Sequence, residues 1–106
     1  MKYGMEVFED LNGRHIRLTE ERMQHILEHL EMQGQIERIA ETLKFPDVIV
    51  ASKYDPSVHL YHRFYEVTPV ESKYLVVTVK FLEDDAFMLT AFFTDRKKKG
   101  DRIWPK

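Results

Sequence analysis

Residues 74–94, YLVVTVKFLEDDAFMLTAFFT, contain two apolar runs separated by a short acidic segment. Both runs are rich in Val, Thr, Phe and Leu and lack Gly and Pro, a composition typical of β-strands. The acidic segment, residues 82–85, has the length of a hairpin loop. We therefore predict an antiparallel hairpin at the centre of a sheet.

Side chains alternate between the two faces of a strand, so this hairpin has two distinct faces. The apolar face is predicted to form the core, with Leu75, Val77, Val79, Phe81, Phe87, Leu89, Ala91 and Phe93. The other face is predicted to pair Lys80 with Met88, Thr78 with Thr90, Val76 with Phe92 and Tyr74 with Thr94. A buried polar group needs a partner, so we expect a ligand on this second face.

Residues 58–67, VHLYHRFYEV, also alternate between apolar and polar side chains. Val58, Leu60 and Phe64 fall on one side, and His59, Tyr61, Arg63 and Tyr65 fall on the other. The second set is amphipathic and hydrogen-bonding. We expect it to lie on the polar face of the sheet, together with Thr78, Lys80, Thr90 and Thr94.

Two helices are predicted before these strands. Thr19 is a candidate N-cap for a helix over residues 20–33, which ends at Gly34. Its apolar side is predicted to contain Met23, Ile26, Leu27 and Leu30. A second helix is predicted over residues 35–43, because the Phe45-Pro46 step disfavours further helix.

These elements predict an α+β fold, with two N-terminal helices packed on one face of a twisted antiparallel sheet of about four strands. Residues 48–52 supply a further short strand. Residues 1–18 indicate one or two edge strands with a turn at Leu11-Asn12-Gly13. At 106 residues we expect a single domain over residues 1–106, with one hydrophobic core.

The composition excludes several classes of protein. The chain has no cysteine, so neither disulfides nor a thiolate nucleophile contribute. The N-terminal residues lack a basic region followed by an apolar run, and no stretch reaches the ~18 apolar residues of a membrane span. We expect a cytoplasmic protein with no membrane partner.

Charge is unevenly distributed along the chain. Residues 94–106 carry six Lys or Arg against two Asp, a net of +4; the whole chain carries −2, so the remainder carries −6. We predict a basic C-terminal tail at about residues 95–106. Such a tail either contacts a polyanion through phosphate neutralisation or is a solvated chain end.

One motif suggests a metal site. His25-Ile26-Leu27-Glu28-His29 matches the H-x-x-E-H pattern of inverted zinc peptidases. A catalytic zinc site needs a third protein ligand, and the chain offers no second helical Glu motif and is short for such an enzyme. We therefore expect no metal or other cofactor. The two histidines are either solvated or include one general acid or base.

Several segments carry a resemblance to a known family: His25-Ile26, FPDVIV (45–50), LYHRFY (60–65), YLVVTVKF (74–81) and FMLTAFFTDRKKKGDRIW (87–104). The chain resembles the small phage-associated proteins grouped with barnase, EndoU, colicin and RelE-type nucleases. That family implies helices followed by an antiparallel sheet and a toxin-like, metal-independent ribonuclease. The resemblance covers residues 14–104 and implies site residues His25, Arg63, Lys80, Thr90 and Thr94, with Trp104 as the terminal aromatic.

As an enzyme, the protein is expected to cleave RNA by attack of a 2′-hydroxyl on the adjacent phosphate. The expected roles are acid or base for His25, charge stabilisation for Arg63 and Lys80, and hydrogen bonding for Thr90 or Thr94. Tyr61 and Tyr65 would stack on bases, and Lys97, Lys98 and Trp104 would bind the RNA. The alternative hypothesis is an inactive nuclease fold that binds a protein partner such as an antitoxin through the same face.

Overall fold

A computed structural model describes residues 5–106. The strands are β1 (Met5–Glu9), β2 (His15–Thr19), β3 (Val48–Ala51), β4 (Val58–Phe64), β5 (Tyr74–Phe81), β6 (Ala86–Thr94) and β7 (Asp101–Trp104). The helices are α1 (Glu20–Leu27) and α2 (Ile36–Lys44), with a 3-10 turn at Leu30–Met32 between them. Part of the edge strand expected within residues 1–18 lies outside the described residues.

The strands form one seven-stranded sheet in the order β1-β2-β6-β5-β4-β3-β7. β2 pairs with β6 in parallel, whereas the other neighbours are antiparallel. The prediction of an antiparallel sheet of about four strands is therefore wrong. The β1–β2 hairpin extends the sheet beyond β6, and β7 extends it beyond β3, so the fold is a sheet-rich α+β fold with a mixed sheet.

The first helix is shorter than its apolar pattern predicts. The hydroxyl of Thr19 accepts a hydrogen bond from the backbone N–H of Arg22 at 3.2 Å, as expected of an N-cap. The helix stops at Leu27 because His29 adopts an extended backbone conformation. Leu30, predicted to be in the core, is consequently 80% exposed, and Met32 is buried in its place.

The hydrophobic core lies between the two helices and one face of the sheet, here called the helix face. Ile26 of α1 and Ile39 and Leu43 of α2 are fully buried against strand residues that include Leu75 and Val77. The opposite side of the sheet is here called the strap face, for the segment that crosses it. On β5 the helix-facing set Leu75, Val77 and Val79 agrees with the alternation in the sequence.

A β-bulge changes the assignment of faces on β6. The register shifts between Thr78 and Val79, so that Val79 pairs with Met88 and Lys80 pairs with Phe87. Met88 is therefore fully buried, while Leu89 is only half-buried. The prediction that Phe87 and Leu89 belong to the core face is wrong, because one extra residue on a bulged strand reverses the alternation beyond it.

The basic C-terminal segment is part of the fold. Residues 95–100, here called the strap, leave the end of β6 and cross the strap face to reach β7 at the far edge of the sheet. The backbone N–H of Lys98 donates a hydrogen bond of 2.9 Å to Nε2 of His62 on β4. Gly100 is needed where the strap meets β3, because a Cβ there would lie 2.4 Å from the carbonyl oxygen of Ala51.

Candidate nucleic-acid interface

The predicted site residues divide between the two sides of the sheet. Thr78 pairs with Thr90, and Tyr74 pairs with Thr94, both as expected from the sequence, and Lys80 follows along the same side of β5. Tyr61 pairs with Val77 and Arg63 with Leu75, which places both on the helix face. Arg63 and Lys80 therefore lie on opposite sides of the sheet, and the expected single polar face is wrong.

Tyr61 belongs to a buried polar cluster on the helix face. Its hydroxyl donates to Oδ2 of Asp10 at 2.6 Å, and the guanidinium of Arg14 donates to Asp10 and to the tyrosine oxygen. Burial and the bond to Asp10 raise the pKa of Tyr61. Burial alone would raise the pKa of Asp10, but its hydrogen bonds and the charge of Arg14 lower it. With a buried hydroxyl, Tyr61 cannot stack on a base.

Arg63 and Tyr65 also contact the helix side of the molecule. The guanidinium of Arg63 donates to the carbonyl oxygen of Phe45, and its Nε lies 3.7 Å from a carboxylate oxygen of Glu41. The hydroxyl of Tyr65 donates to that same carboxylate. Burial and this hydrogen bond raise the pKa of Tyr65 to about 12. Both side chains thus join α2 to the sheet.

His25 is exposed on α1, which packs on β6 and β2 from the helix face. Its ring centroid lies 6.4 Å from that of His29, which is also exposed. Within residues 5–106, no group of three or more His, Asp or Glu side chains is arranged to hold a metal ion.

Lys80 has a partner that the sequence did not reveal. Its Nζ donates to Oδ2 of Asp55 at 2.6 Å, across the end of the sheet. This bond, with two further hydrogen bonds from Ser57, lowers the pKa of Asp55 to about 2. The charge of Lys80, which was expected to stabilise a phosphate, is therefore paired with a carboxylate of the protein itself.

Unpaired cations are found instead on the strap. Among residues 5–106, no carboxylate lies within ion-pair distance of Arg96, Lys97, Lys98 or Lys99. The Nζ of Lys98 lies 5.5 Å from the centroid of the Phe92 ring on β6, within the range of a cation–π contact. Because the strap is held at both ends by strands, these four charges have defined positions over the sheet.

A cleft of about 370 Å³ lies between the strap and the β3–β4 loop. Its lining residues are Ser52, Lys53, Tyr54, Leu60, Lys98 and Lys99. Leu60 supplies an apolar floor, and Tyr54 is 99% exposed at the rim. In the described part of the chain Lys98 and Lys99 have no carboxylate partner, whereas Lys53 pairs with Asp101 at 3.1 Å. Two unpaired cations near an apolar floor with an exposed aromatic ring form a surface suited to a phosphate and a base.

A second cleft, of about 480 Å³, lies beside the β5–β6 loop. Its charges are mixed: Arg14 and Arg17 line it together with Glu83, Asp84 and Asp85. Arg17 donates to both carboxylate oxygens of Asp85, at 2.9 and 2.6 Å. Because acidic side chains of the β5–β6 loop line this cleft, it is a poorer site for a polyanion than the strap.

The remaining predicted residues lie on the strap and on β7. Lys97 and Lys98 are exposed on the strap, and Trp104 ends β7 opposite Ile49 with its side chain partly exposed. The sequence analysis missed Lys53, Tyr54 and Phe92 as site residues. A signal was present, since Lys53 and Tyr54 precede Asp55-Pro56 in a predicted turn, and exposed turns often carry binding residues.

Comparisons of the chain with protein-family models, curated proteins and solved structures gave no match. In the part of the chain that the structure describes, neither α-helix has the length and apolar character required to cross a membrane.

Proposed function

We propose that this protein binds RNA on its strap face. The observation that carries the proposal is the cleft between the strap and the β3–β4 loop, where Lys53, Lys98 and Lys99 surround an apolar floor beside Tyr54. Lysines neutralise phosphates, and exposed aromatic rings stack on bases, which together are the two main contributions to binding a nucleic-acid strand.

The neighbouring part of the strap face suits the same ligand. Phe92 is half-buried beneath Lys98, and the paired hydroxyls of Thr78 and Thr90 lie on the same side of the sheet. A strand leaving the cleft would therefore meet an aromatic ring and hydrogen-bonding groups.

RNA cleavage is the further activity that the sequence resemblance suggests, and we propose it only in a restricted form. His25, Arg63 and Lys80 do not line one cleft, so no single phosphate can contact all three. A reaction on the strap face would use Lys80 to stabilise the phosphate and the hydroxyls of Thr78 or Thr90 to donate hydrogen bonds. Asp55, which pairs with Lys80, would accept the proton of the attacking 2′-hydroxyl, and water would protonate the leaving 5′-oxygen. Incubation of purified protein with mixed RNA and EDTA tests this: chelator-resistant cleavage that Lys80→Ala abolishes supports it, and intact RNA refutes it.

Binding is tested by fluorescence anisotropy with a labelled RNA oligonucleotide. The double variant Lys98→Gln/Lys99→Gln should reduce affinity on the order of tenfold at 0.1 M salt and flatten the salt dependence by about 1.4 in log–log slope, because each lost phosphate contact contributes about 0.7. The control, Arg22→Gln/Lys44→Gln, removes two positive charges from the helix side. Equal loss of affinity in both variants would show that net charge, not the strap, determines binding.

Tyr54 provides a second, uncharged test of the same cleft. Its side chain makes so few contacts that Tyr54→Ala should change stability by less than about 0.5 kcal/mol. Loss of base stacking should nevertheless weaken RNA binding by about 1–3 kcal/mol. Leu82→Ala, at another exposed apolar position, is the control. A protein partner on this face, the alternative hypothesis, predicts no RNA affinity in the wild type.

A further inference from the structure

One buried histidine holds the strap on the sheet. His62 is completely buried on the strap face of β4, and its Nε2 accepts the hydrogen bond from the backbone N–H of Lys98. Its Nδ1 lies 3.1 Å from the carbonyl oxygen of Leu60. A carbonyl oxygen can only accept, so Nδ1 carries the proton and the ring is neutral with a free lone pair at Nε2.

This contact is the strap's only such attachment between its ends. Among residues 5–106, no other hydrogen bond outside the strand ladders involves residues 96–99. The other attachments of the strap are the cation–π contact of Lys98 and contacts at its ends, where Ser72 donates to Asp95 at 2.7 Å and Gly100 packs on β3. The position of Lys98 over the sheet is therefore sensitive to the state of one imidazole.

Protonation of His62 is incompatible with the observed contact. A proton on Nε2 would place an N–H donor against the N–H of Lys98, and two donors cannot bond to each other. The groups facing the ring reinforce this. Lys97 and Lys98 lie on the strap side, and β3 and β5 present Val48 and Val76 at the positions paired with His62.

Among the described residues around the ring, no carboxylate is placed to balance a positive charge on His62. Asp47 donates only its backbone N–H, to the carbonyl oxygen of His62, while its side chain accepts from the backbone N–H of Phe64. Burial lowers the pKa of His62 below its ordinary value of 6.5 and, with the smaller contributions of the Lys97 and Lys98 charges, outweighs the hydrogen bonds with the backbone of Val48 and Leu60, which raise it. The neutral ring is thus the form that the folded protein favours.

We propose that His62 is a pH-dependent latch: the neutral imidazole fixes the strap on the sheet, and protonation of the ring in acid releases Lys98 and weakens RNA binding. The release of the strap is inferred from the structure alone, whereas the weaker RNA binding rests on the proposed function. The sign is opposite to that of an exposed histidine, which gains a charge in acid and attracts RNA more strongly.

Hydrogen exchange measured by NMR tests the latch without RNA. The protection factor of the Lys98 amide, corrected for the intrinsic exchange rate at each pH, should fall by about tenfold per pH unit once His62 begins to protonate. Protection of Val77, in the core of β5, should stay constant over the same range. Unchanged protection of Lys98 while the His62 ring titrates would overturn the proposal, as would equal losses at both amides.

A variant that cannot titrate provides the matched comparison. In His62→Gln the amide oxygen can still accept from Lys98, so protection of Lys98 should no longer depend on pH. If this variant does not fold, the pH dependence of Lys98 protection in the wild type still tests the proposal. A folded variant whose Lys98 protection still falls in acid would refute the role of His62.

The RNA part is measured by anisotropy at pH 7.5 and pH 5.5. The affinity of the wild type relative to His62→Gln should fall in acid, because this ratio cancels effects of pH that are common to both proteins. If the ratio of the two affinities is the same at both pH values, the proposed effect of the latch on RNA binding is wrong. If neither protein binds RNA at pH 7.5, the proposed function fails, while the exchange experiment decides separately whether the strap is released.

Discussion

At the scale of single residues, the decisive feature is where each polar side chain finds its partner. Tyr61 was predicted to face a ligand because it alternates with Leu60 and His62. In the structure its hydroxyl bonds to Asp10, which lies 51 positions earlier in the chain. Alternation defines which side chains share a face but not which face is covered, so neither the burial of Tyr61 nor the Lys80–Asp55 pair could be read from local sequence.

The Asp10 cluster gives a stability prediction. Asp10→Asn removes the charge that compensates Arg14 and weakens the hydrogen bonds to Tyr61 and the β1–β2 turn. Because Asp10 is fully buried but the Arg14 side chain is 40% exposed, we expect a loss of about 3 kcal/mol, the lower end of the effect for a broken buried pair.

Urea unfolding measures this loss, with Asp85→Asn as the control. Asp85 pairs with Arg17 in similar geometry, but both side chains are partly exposed, so Asp85→Asn should cost much less stability than Asp10→Asn. Equal effects of the two substitutions would contradict the structural role assigned to Asp10.

At the scale of elements, the sequence predicts what depends on local pattern. The second helix, the β5–β6 hairpin and the apolar face of β5 agree with it closely. The end of α1 and the bulge on β6 do not, because His29 turns the chain away from helix and a bulge leaves no signature in a run of apolar residues. Residues 95–106 were predicted as a basic tail, and the strand β7 within them was not predicted because β3, with which β7 pairs, is distant in sequence.

The bulge leads to a prediction that reverses the one from alternation. Met88→Ala should destabilise the fold by about 2–5 kcal/mol, because Met88 is fully buried between sheet and helices. Leu89→Ala, at the half-buried neighbouring position, should cost clearly less. Chemical unfolding of both variants distinguishes the bulged strand register from the regular one. A larger loss of stability for Leu89→Ala than for Met88→Ala would favour the register without the bulge.

At the scale of the whole molecule, buried histidines couple stability to pH. Burial lowers the pKa of His62 and of His59 in the folded state. The unfolded chain therefore binds more protons, so this stability is fully present above the unfolded value of about 6.5 and is lost as the pH falls towards the folded pKa.

The contribution of each histidine has a maximum slope of about 1.4 kcal/mol per pH unit. His62→Gln should therefore show a shallower decline of unfolding free energy than the wild type between pH 6.5 and pH 5, as measured by urea unfolding at each pH. Parallel declines would mean that His62 binds the same number of protons in the folded and unfolded states, which would contradict a lowered pKa in the folded protein. His59 continues to titrate in both proteins and cancels in the difference.

The most direct test of the central claim is an NMR titration of the labelled protein with a short RNA oligonucleotide, because it reports which side of the sheet the ligand contacts. We predict that the largest amide shifts occur on the strap and beside it, at Lys53, Tyr54, Leu60, Lys98 and Lys99. Amides on the helix side, including those of His25 and Arg63, should move little. Shifts concentrated on α1 and α2, or no shifts at saturating RNA, would contradict the account.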